Sequence, residues 1–138
     1  MKIYIGAKFG YKDKVISLSK RLEEKDIINN YNWALDLKDE ESEEDLIESA
    51  KKELEAIKDS DCVIFLLPLG RGSHVELGMA LAYGKQVILC GESADVFEND
   101  PVNFYKLPEI IKIVDSYDLI DDKIIELLSD YKIKNLHF

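Results

Sequence analysis

Cys62-Val63-Ile64-Phe65-Leu66-Leu67 is an unbroken apolar run, and Pro68-Leu69-Gly70-Arg71-Gly72-Ser73 ends it abruptly. A strand with one wet face alternates polar and apolar residues. A run without alternation suits a central parallel strand covered on both faces. Downstream, Val75 to Tyr83 has helical character and is closed by Gly84, and Gln86 to Cys90 forms the next buried strand. Upstream, Lys2 to Ile5 is a short strand opening into Gly6-Ala7-Lys8-Phe9-Gly10. Val15, Leu18 and Leu22 mark a helix from about Lys12 to Lys25, and Ile27 to Leu35 carries a second, weaker strand. Ser42, three residues before Asp45, has the spacing of a helix-capping pair. Leu46, Ala50, Leu54 and Ile57 then fall on one helix face up to about Ser60. Gly91 to Pro108 is irregular, Ile110 to Val114 is a last strand and Leu119 to Leu128 a last helix.

This alternation predicts an α/β fold: one domain over residues 1–138, a five-stranded parallel sheet with helices on both faces, in a flavodoxin-like or Rossmann-like order. The chain of 138 residues is 46% apolar and 33% charged, which is ordinary for a globular domain. Its net charge of -10 argues against a nucleic-acid polymer or an anionic membrane surface as partner, while leaving room for a locally positive pocket. No apolar run approaches the roughly 20 residues that span a bilayer, and the N-terminus is too short and strand-like for a signal peptide. Cys62 and Cys90 stand inside apolar runs, the pattern of reduced core thiols in a cytoplasmic protein. The two cysteines and two histidines, His74 and His137, show no metal-ligand spacing, so no metal and no cofactor is expected.

Ligands of such sheets bind beyond the carboxyl ends of the strands, where the strand order reverses. Here that place is between the first and third strands, at the loops from Gly6 to Lys12 and from Pro68 to Ser73. Both contain glycine, and the second feeds a helix N-terminus, where backbone N–H groups and the macrodipole favour an anion. Glu76 is the only formal charge between Arg71 and Lys85. Its apolar neighbours, Val75, Leu77, Met79, Ala80, Leu81 and Ala82, describe a helix buried nearly all round. A carboxylate there must meet donors or be protonated. A place in the first helical turn would keep it ionised, as a nucleophile requires, or would simply stabilise the helix end. Glu53, near the end of the preceding helix, is a second candidate.

Three blocks resemble the nucleoside 2-deoxyribosyltransferase family, including its 2'-deoxynucleoside 5'-monophosphate N-glycosidase relatives. They are Ile3-Tyr4-Ile5-Gly6-Ala7, Glu53-Leu54-Glu55-Ala56-Ile57-Lys58-Asp59-Ser60-Asp61 and Gly70-Arg71-Gly72-Ser73-His74-Val75-Glu76-Leu77-Gly78-Met79-Ala80. Their order and spacing fit the family from Lys2 to Cys90, and the rest of the chain fits only in outline. The resemblance implies that Glu76 is a nucleophile attacking the anomeric carbon of the sugar. The glycosyl-enzyme ester then passes to water or to a second base, by the double-displacement logic of retaining glycosidases. It implies that Tyr4 orients Glu76 and that Glu53 assists at the leaving base or a sugar hydroxyl. It also implies a homodimer or higher symmetric oligomer, to which the apolar segment Tyr131 to Phe138 could contribute.

The transferases carry Asp six residues before the nucleophile and the phosphate-accepting relatives tend to carry Ser, whereas this chain has Gly70. Arg71, Ser73, the amides around Gly6, Gly70 and Gly72, and Lys8 across the crevice could hold a phosphate. Arg71 could equally answer the acidic stretch from Asp39 to Asp45. Trp33 and Asp36 could flank a base, although a lone Trp is more often core, and Phe9 is a further candidate for substrate binding. The expectation is therefore an enzyme that cleaves or exchanges the N-glycosidic bond of a nucleoside or its 5'-monophosphate. The alternative is a non-catalytic nucleotide-binding module on the same scaffold.

Overall fold

The computed structural model describes residues 1–99 and 102–135, with side chains through residue 130. Five strands, β1 (Lys2–Ala7), β2 (Ile28–Asn29), β3 (Cys62–Leu66), β4 (Gln86–Gly91) and β5 (Ile111–Val114), form one sheet in the order β2-β1-β3-β4-β5. Every pairing is parallel, with Tyr4 opposite Val63, Gly6 opposite Phe65, and Val63 opposite Val87. The helices are α1 (Lys12–Glu23), α2 (Trp33–Asp36), α3 (Glu43–Lys58), α4 (Arg71–Ala82), α5 (Asp95–Glu98) and α6 (Asp121–Asn135).

The chain leaves β1 toward β2 and later crosses back to β3, β4 and β5 on the other side. Right-handed crossovers then put α1 with α6 on one face and α3 with α4 on the other. All five residues of β3 are buried, as the uninterrupted apolar run requires. Val15, Leu18 and Leu22 seat α1 on the sheet, and Arg21 ties it to α6 through Asp121 at 2.8 Å and the Tyr117 carbonyl at 2.7 Å. The reversal falls between β1 and β3, and their loops meet there. A Cβ on Gly70 would lie 3.5 Å from the Lys8 Cβ, ordinary contact across the head of the sheet.

Four local expectations are corrected. The second strand ends at Asn29, and Trp33 to Leu35 belong to α2. Asn30 N–H makes the last bond to β1, to the Ile3 carbonyl at 2.8 Å, and beyond it the Trp33 indole N–H donates to the Ile5 carbonyl at 2.8 Å from within α2. The capping pair of α3 is present in both directions: Asp45 N–H donates to Ser42 Oγ at 3.0 Å and Ser42 N–H to the Asp45 carboxylate at 3.1 Å. Its buried face, however, is Ala56 and Ile57, while Leu46, Ala50 and Leu54 are exposed. The N-terminal half of α3 overhangs the strand ends and walls a cavity instead of covering the sheet.

The third correction concerns α4, which begins at Arg71 and not at Val75. Glu76 is consequently in its second turn. The helix is buried on one side only, through Ser73, Glu76, Leu77 and Ala80; Val75 is 64% exposed. Last, the irregular stretch after β4 contains α5 and a 3₁₀ turn, Asn103–Lys106. The side chains of Tyr131 onward lie outside the described residues.

Candidate active site

Two cavities open at the carboxyl ends of β1 and β3. The first, of about 330 Å³, is lined by Ala7, Lys8, Phe9, Trp33, Glu53, Gly70, Arg71, Gly72, Ser73 and Glu76. The second, of about 440 Å³, adjoins it through Phe9, Trp33 and Glu53 and extends along α3 past Tyr31, Asp36, Glu41 and Glu48. The structure thus brings nine of the sequence-predicted positions into one cleft. Asp36 belongs to the adjoining cavity, where it lies 3.6 Å from Lys52 and, after burial, helps to raise the Tyr31 pKa. Tyr4 is fully buried and reaches the cleft through Glu76 alone: its hydroxyl donates to Glu76 Oε2.

Gly6 has a different part from the one its loop-like sequence suggests. It is a residue of β1, and a Cβ there would sit 2.6 Å from the Phe65 ring and 3.4 Å from Glu76 Oε1. The missing side chain makes room for the ring and lets the second carboxylate oxygen lie against the strand. Glu76 is therefore held between Tyr4 on one oxygen and the bare backbone of β1 on the other.

Burial decides the protonation of this carboxyl. In the second turn of α4, Glu76 receives less help from the unpaired amides and macrodipole than a first-turn residue would. Desolvation pushes its pKa from 4.5 up to about 8; the Tyr4 hydroxyl pulls the other way, and the nearby Glu53 carboxyl adds to the rise. This overturns the expectation that donors would keep Glu76 ionised at neutral pH. Desolvation also raises Glu53, and, with Glu76 and Glu53 beside it, raises Tyr4 far above the usual phenol range. Glu53 thus adds to the rise at Glu76, while its own rise comes from burial.

The rim is of opposite sign. Gly70 is the N-cap of α4 and has no side chain to satisfy the first-turn amides. Among the described residues, neither Lys8 nor Arg71 forms an ion pair, although Lys8 Nζ lies 4.6 Å from the Tyr11 ring centre. The acidic stretch near α3 answers to Lys38, whose Nζ is 2.9 Å from Asp45; that contact and Ser42 hold Asp45 down at about 2. Ser73 lines the cleft, yet its hydroxyl closes the helix start: Gly70 N–H donates to Ser73 Oγ at 2.8 Å, and Ser73 Oγ donates to the Gly70 carbonyl at 3.2 Å. Trp33 is both core and wall. It is 4% exposed, its indole N–H is engaged by Ile5, and its ring meets the exposed Phe9 edge to face at 6.1 Å.

Reading the sequence alone missed Tyr31 and the cavity under α3. It also missed the contact between His74 and Tyr105, which are 31 residues apart. No spacing rule joins those pairs. Among the described residues, no group of His, Cys, Asp or Glu is arranged to hold a metal, and no helix is long and apolar enough to cross a membrane.

No family model and no curated protein matches this sequence. Among solved structures, the chain is similar to a CMP N-glycosidase of Clostridium botulinum, BcmB, with 23% identity and a TM-score of 0.61. The match covers 90% of this chain and 98% of that one. At this identity the likeness is one of fold.

Proposed function

We propose that the chain is an N-glycosidic enzyme acting on a nucleoside 5'-monophosphate through a glycosyl-enzyme on Glu76. The observation that carries this reading is Glu76, bonded from behind by the buried Tyr4 and sharing with Glu53 a cleft whose rim is a helix N-terminus without a side-chain cap, flanked by Arg71 and Lys8. The N-glycosidase activity of the structural neighbour supports it. The phosphate lies against the amides of Arg71, Gly72 and Ser73, with the two cations beside it. The sugar lies over Glu76, and the base projects past Trp33 and Phe9 toward the acid-lined cavity.

The reaction requires one proton on the carboxyl pair. Ionised Glu76 forms a bond to the anomeric carbon as the carbon–nitrogen bond breaks. The base departs with that electron pair and takes the proton of Glu53, whose buried position keeps it protonated to higher pH than an exposed acid. Water then attacks the same carbon and gives a proton to Glu53, and the ester bond breaks to return Glu76. A second base in place of water makes the same cycle a transfer. Since Gly70 stands where the transferases carry Asp, Glu53 is the one acid assigned to the leaving group. Free buried thiols at Cys62 and Cys90 suit the cytoplasm as the compartment.

The reading is tested by measuring base release from a panel of ribo- and deoxyribonucleosides and their 5'-monophosphates. We expect monophosphates, CMP among them, to be cleaved and nucleosides to be cleaved much less. Trapping with a slow substrate should leave a glycosyl adduct on Glu76 visible by mass spectrometry. Binding of a nucleotide without base release by any member of the panel would favour the non-catalytic module.

The assembly is proposed to be a homodimer or higher oligomer. Its support is exposed apolar side chains on the adjacent helices α3 and α4, where Ile47, Leu54 and Val75 are each about half exposed or more. Sedimentation at micromolar concentration should show a dimer or larger species; a monomer alone would remove this proposal.

A further inference from the structure

The Gly70 carbonyl receives three hydrogen bonds. His74 N–H reaches it at 3.1 Å as the first bond of α4, Ser73 Oγ at 3.2 Å, and His74 Nδ1 at 2.9 Å. A carbonyl offers two lone pairs, so the imidazole contact exceeds what starting a helix demands. A carbonyl can only accept, and Nδ1 must therefore carry the ring proton. The other nitrogen, Nε2, lies 2.8 Å from the hydroxyl of Tyr105 on the 3₁₀ turn after α5. Tyr105 is fully buried, and its ring lies nearly parallel to the imidazole, at 9° with centroids 6.0 Å apart. With Tyr105 donating to Nε2, the tautomer that bonds Gly70 is the one selected.

The Gly70 carbonyl and the Arg71 N–H belong to one planar, trans peptide and point in opposite directions. Pulling the carbonyl toward His74 aims the Arg71 amide the other way. That amide is one of the first-turn donors with no side-chain cap. Gly70 also faces Lys8 at the opposite lip of the cleft, where a Cβ on Gly70 would come within 3.5 Å of the Lys8 Cβ.

We infer that His74, set by Tyr105, is a positioning residue that orients the Gly70–Arg71 peptide for an anionic group, the 5'-phosphate of the substrate. This rests on the reading of the α4 N-terminus as a phosphate site. His74 and Tyr105 take no part in the covalent steps and touch no reacting atom, so their loss acts on binding of the phosphate and not on the chemistry.

The test uses His74→Leu, Tyr105→Phe and His74→Asn, whose side-chain amide can place a donor where Nδ1 was. Affinity for inorganic phosphate is titrated by NMR, and KM and kcat are measured for CMP and cytidine. We expect His74→Leu and Tyr105→Phe to weaken phosphate binding and raise KM for CMP about tenfold. We expect kcat, and KM for cytidine, to stay within about twofold. His74→Asn should restore phosphate affinity and KM to within about threefold of wild type. Unchanged KM in Tyr105→Phe, or equal losses for CMP and cytidine, would overturn the inference even if His74→Leu does not fold. If wild type binds neither phosphate nor CMP, the phosphate reading falls and takes this inference with it. If wild type binds both and the variants bind equally well, only the role of His74 and Tyr105 falls.

Discussion

Glu76→Gln is expected to abolish turnover, by at least about 10³-fold in kcat, while making the protein more stable at alkaline pH. The amide is nearly isosteric and can still accept from the Tyr4 hydroxyl, so fold and ligand binding persist. It cannot form the ester, so base release stops. The stability gain follows from the protonation of the wild-type residue. Its carboxyl titrates near 4.5 when unfolded and near 8 when folded. Between those values the folded chain holds a proton that the unfolded chain has released. Wild-type stability therefore falls as pH rises through that window, and above it the buried charge carries its full penalty. Gln has no such penalty. The two proteins should melt together near pH 4 and diverge by up to about 4 kcal/mol above pH 8, on the order of ten degrees in Tm. Thermal melts at both ends of the range, beside an assay of base release, check both halves. Wild-type turnover in the variant would make Glu76 a helix residue and favour the binding-module reading. Equal melting at pH 9 would show that the carboxyl is not held protonated.

Tyr4→Phe is the second large effect, and its signature is in the pH profile. The reactive pair needs Glu76 ionised and Glu53 protonated, which is a one-proton state. The wild-type profile of kcat/KM should thus be a bell. It falls at low pH, where both carboxyls are protonated and there is no nucleophile. It falls again above about pH 8, where both are ionised and there is no donor for the leaving base. The Tyr4 hydroxyl is the group that opposes burial and lowers the Glu76 pKa. Without it the pKa rises further, so the alkaline limb moves up. The shared proton also prefers Glu76 over Glu53 more strongly, which depopulates the reactive arrangement. Removal of one donor from a buried anion costs about 10²-fold in rate. We expect a loss of that size in kcat together with an upward-shifted limb. A lower rate with an unmoved limb would mean that Tyr4 packs beside Glu76 without tuning it.

Patterns local in the chain carried most of the fold. The apolar run at Cys62 to Leu67, the helical spacing of Val15, Leu18 and Leu22, and the Ser42–Asp45 cap each appear in the structure where spacing placed them. They are legible because strand burial, helix faces and caps depend on residues within a few positions of one another. The same proximity made the ends of the crevice readable, since Lys8 to Gly10 and Pro68 to Gly72 lie just past the ends of β1 and β3.

Three features were beyond that reach. Trp33 looked like strand because its neighbours are apolar; it lies in α2, and its indole finds the Ile5 carbonyl, 28 residues away. The Leu46–Leu54 stripe looked like a core face because periodicity marks the apolar side of a helix but not how far the sheet extends beneath it. The charge of Glu76 turned on the outcome of two opposed terms. Sequence position showed an acid near a helix start, whereas the balance depends on the water excluded by Phe65, Gly6 and the rest of the core around it.

The sequence by itself determined the parallel α/β architecture, the place where the strand order reverses, and the residues eligible to act there, because these follow from periodicity and turn chemistry along the chain. Only the tertiary structure decided that Tyr4 meets Glu76, that Glu53 shares its cleft while Asp36 does not, and that Tyr105 sets His74 against Gly70. Such contacts join residues up to 72 positions apart. Desolvation and hydrogen-bond geometry act through space, and the one-dimensional spacing of the residues carries no record of them.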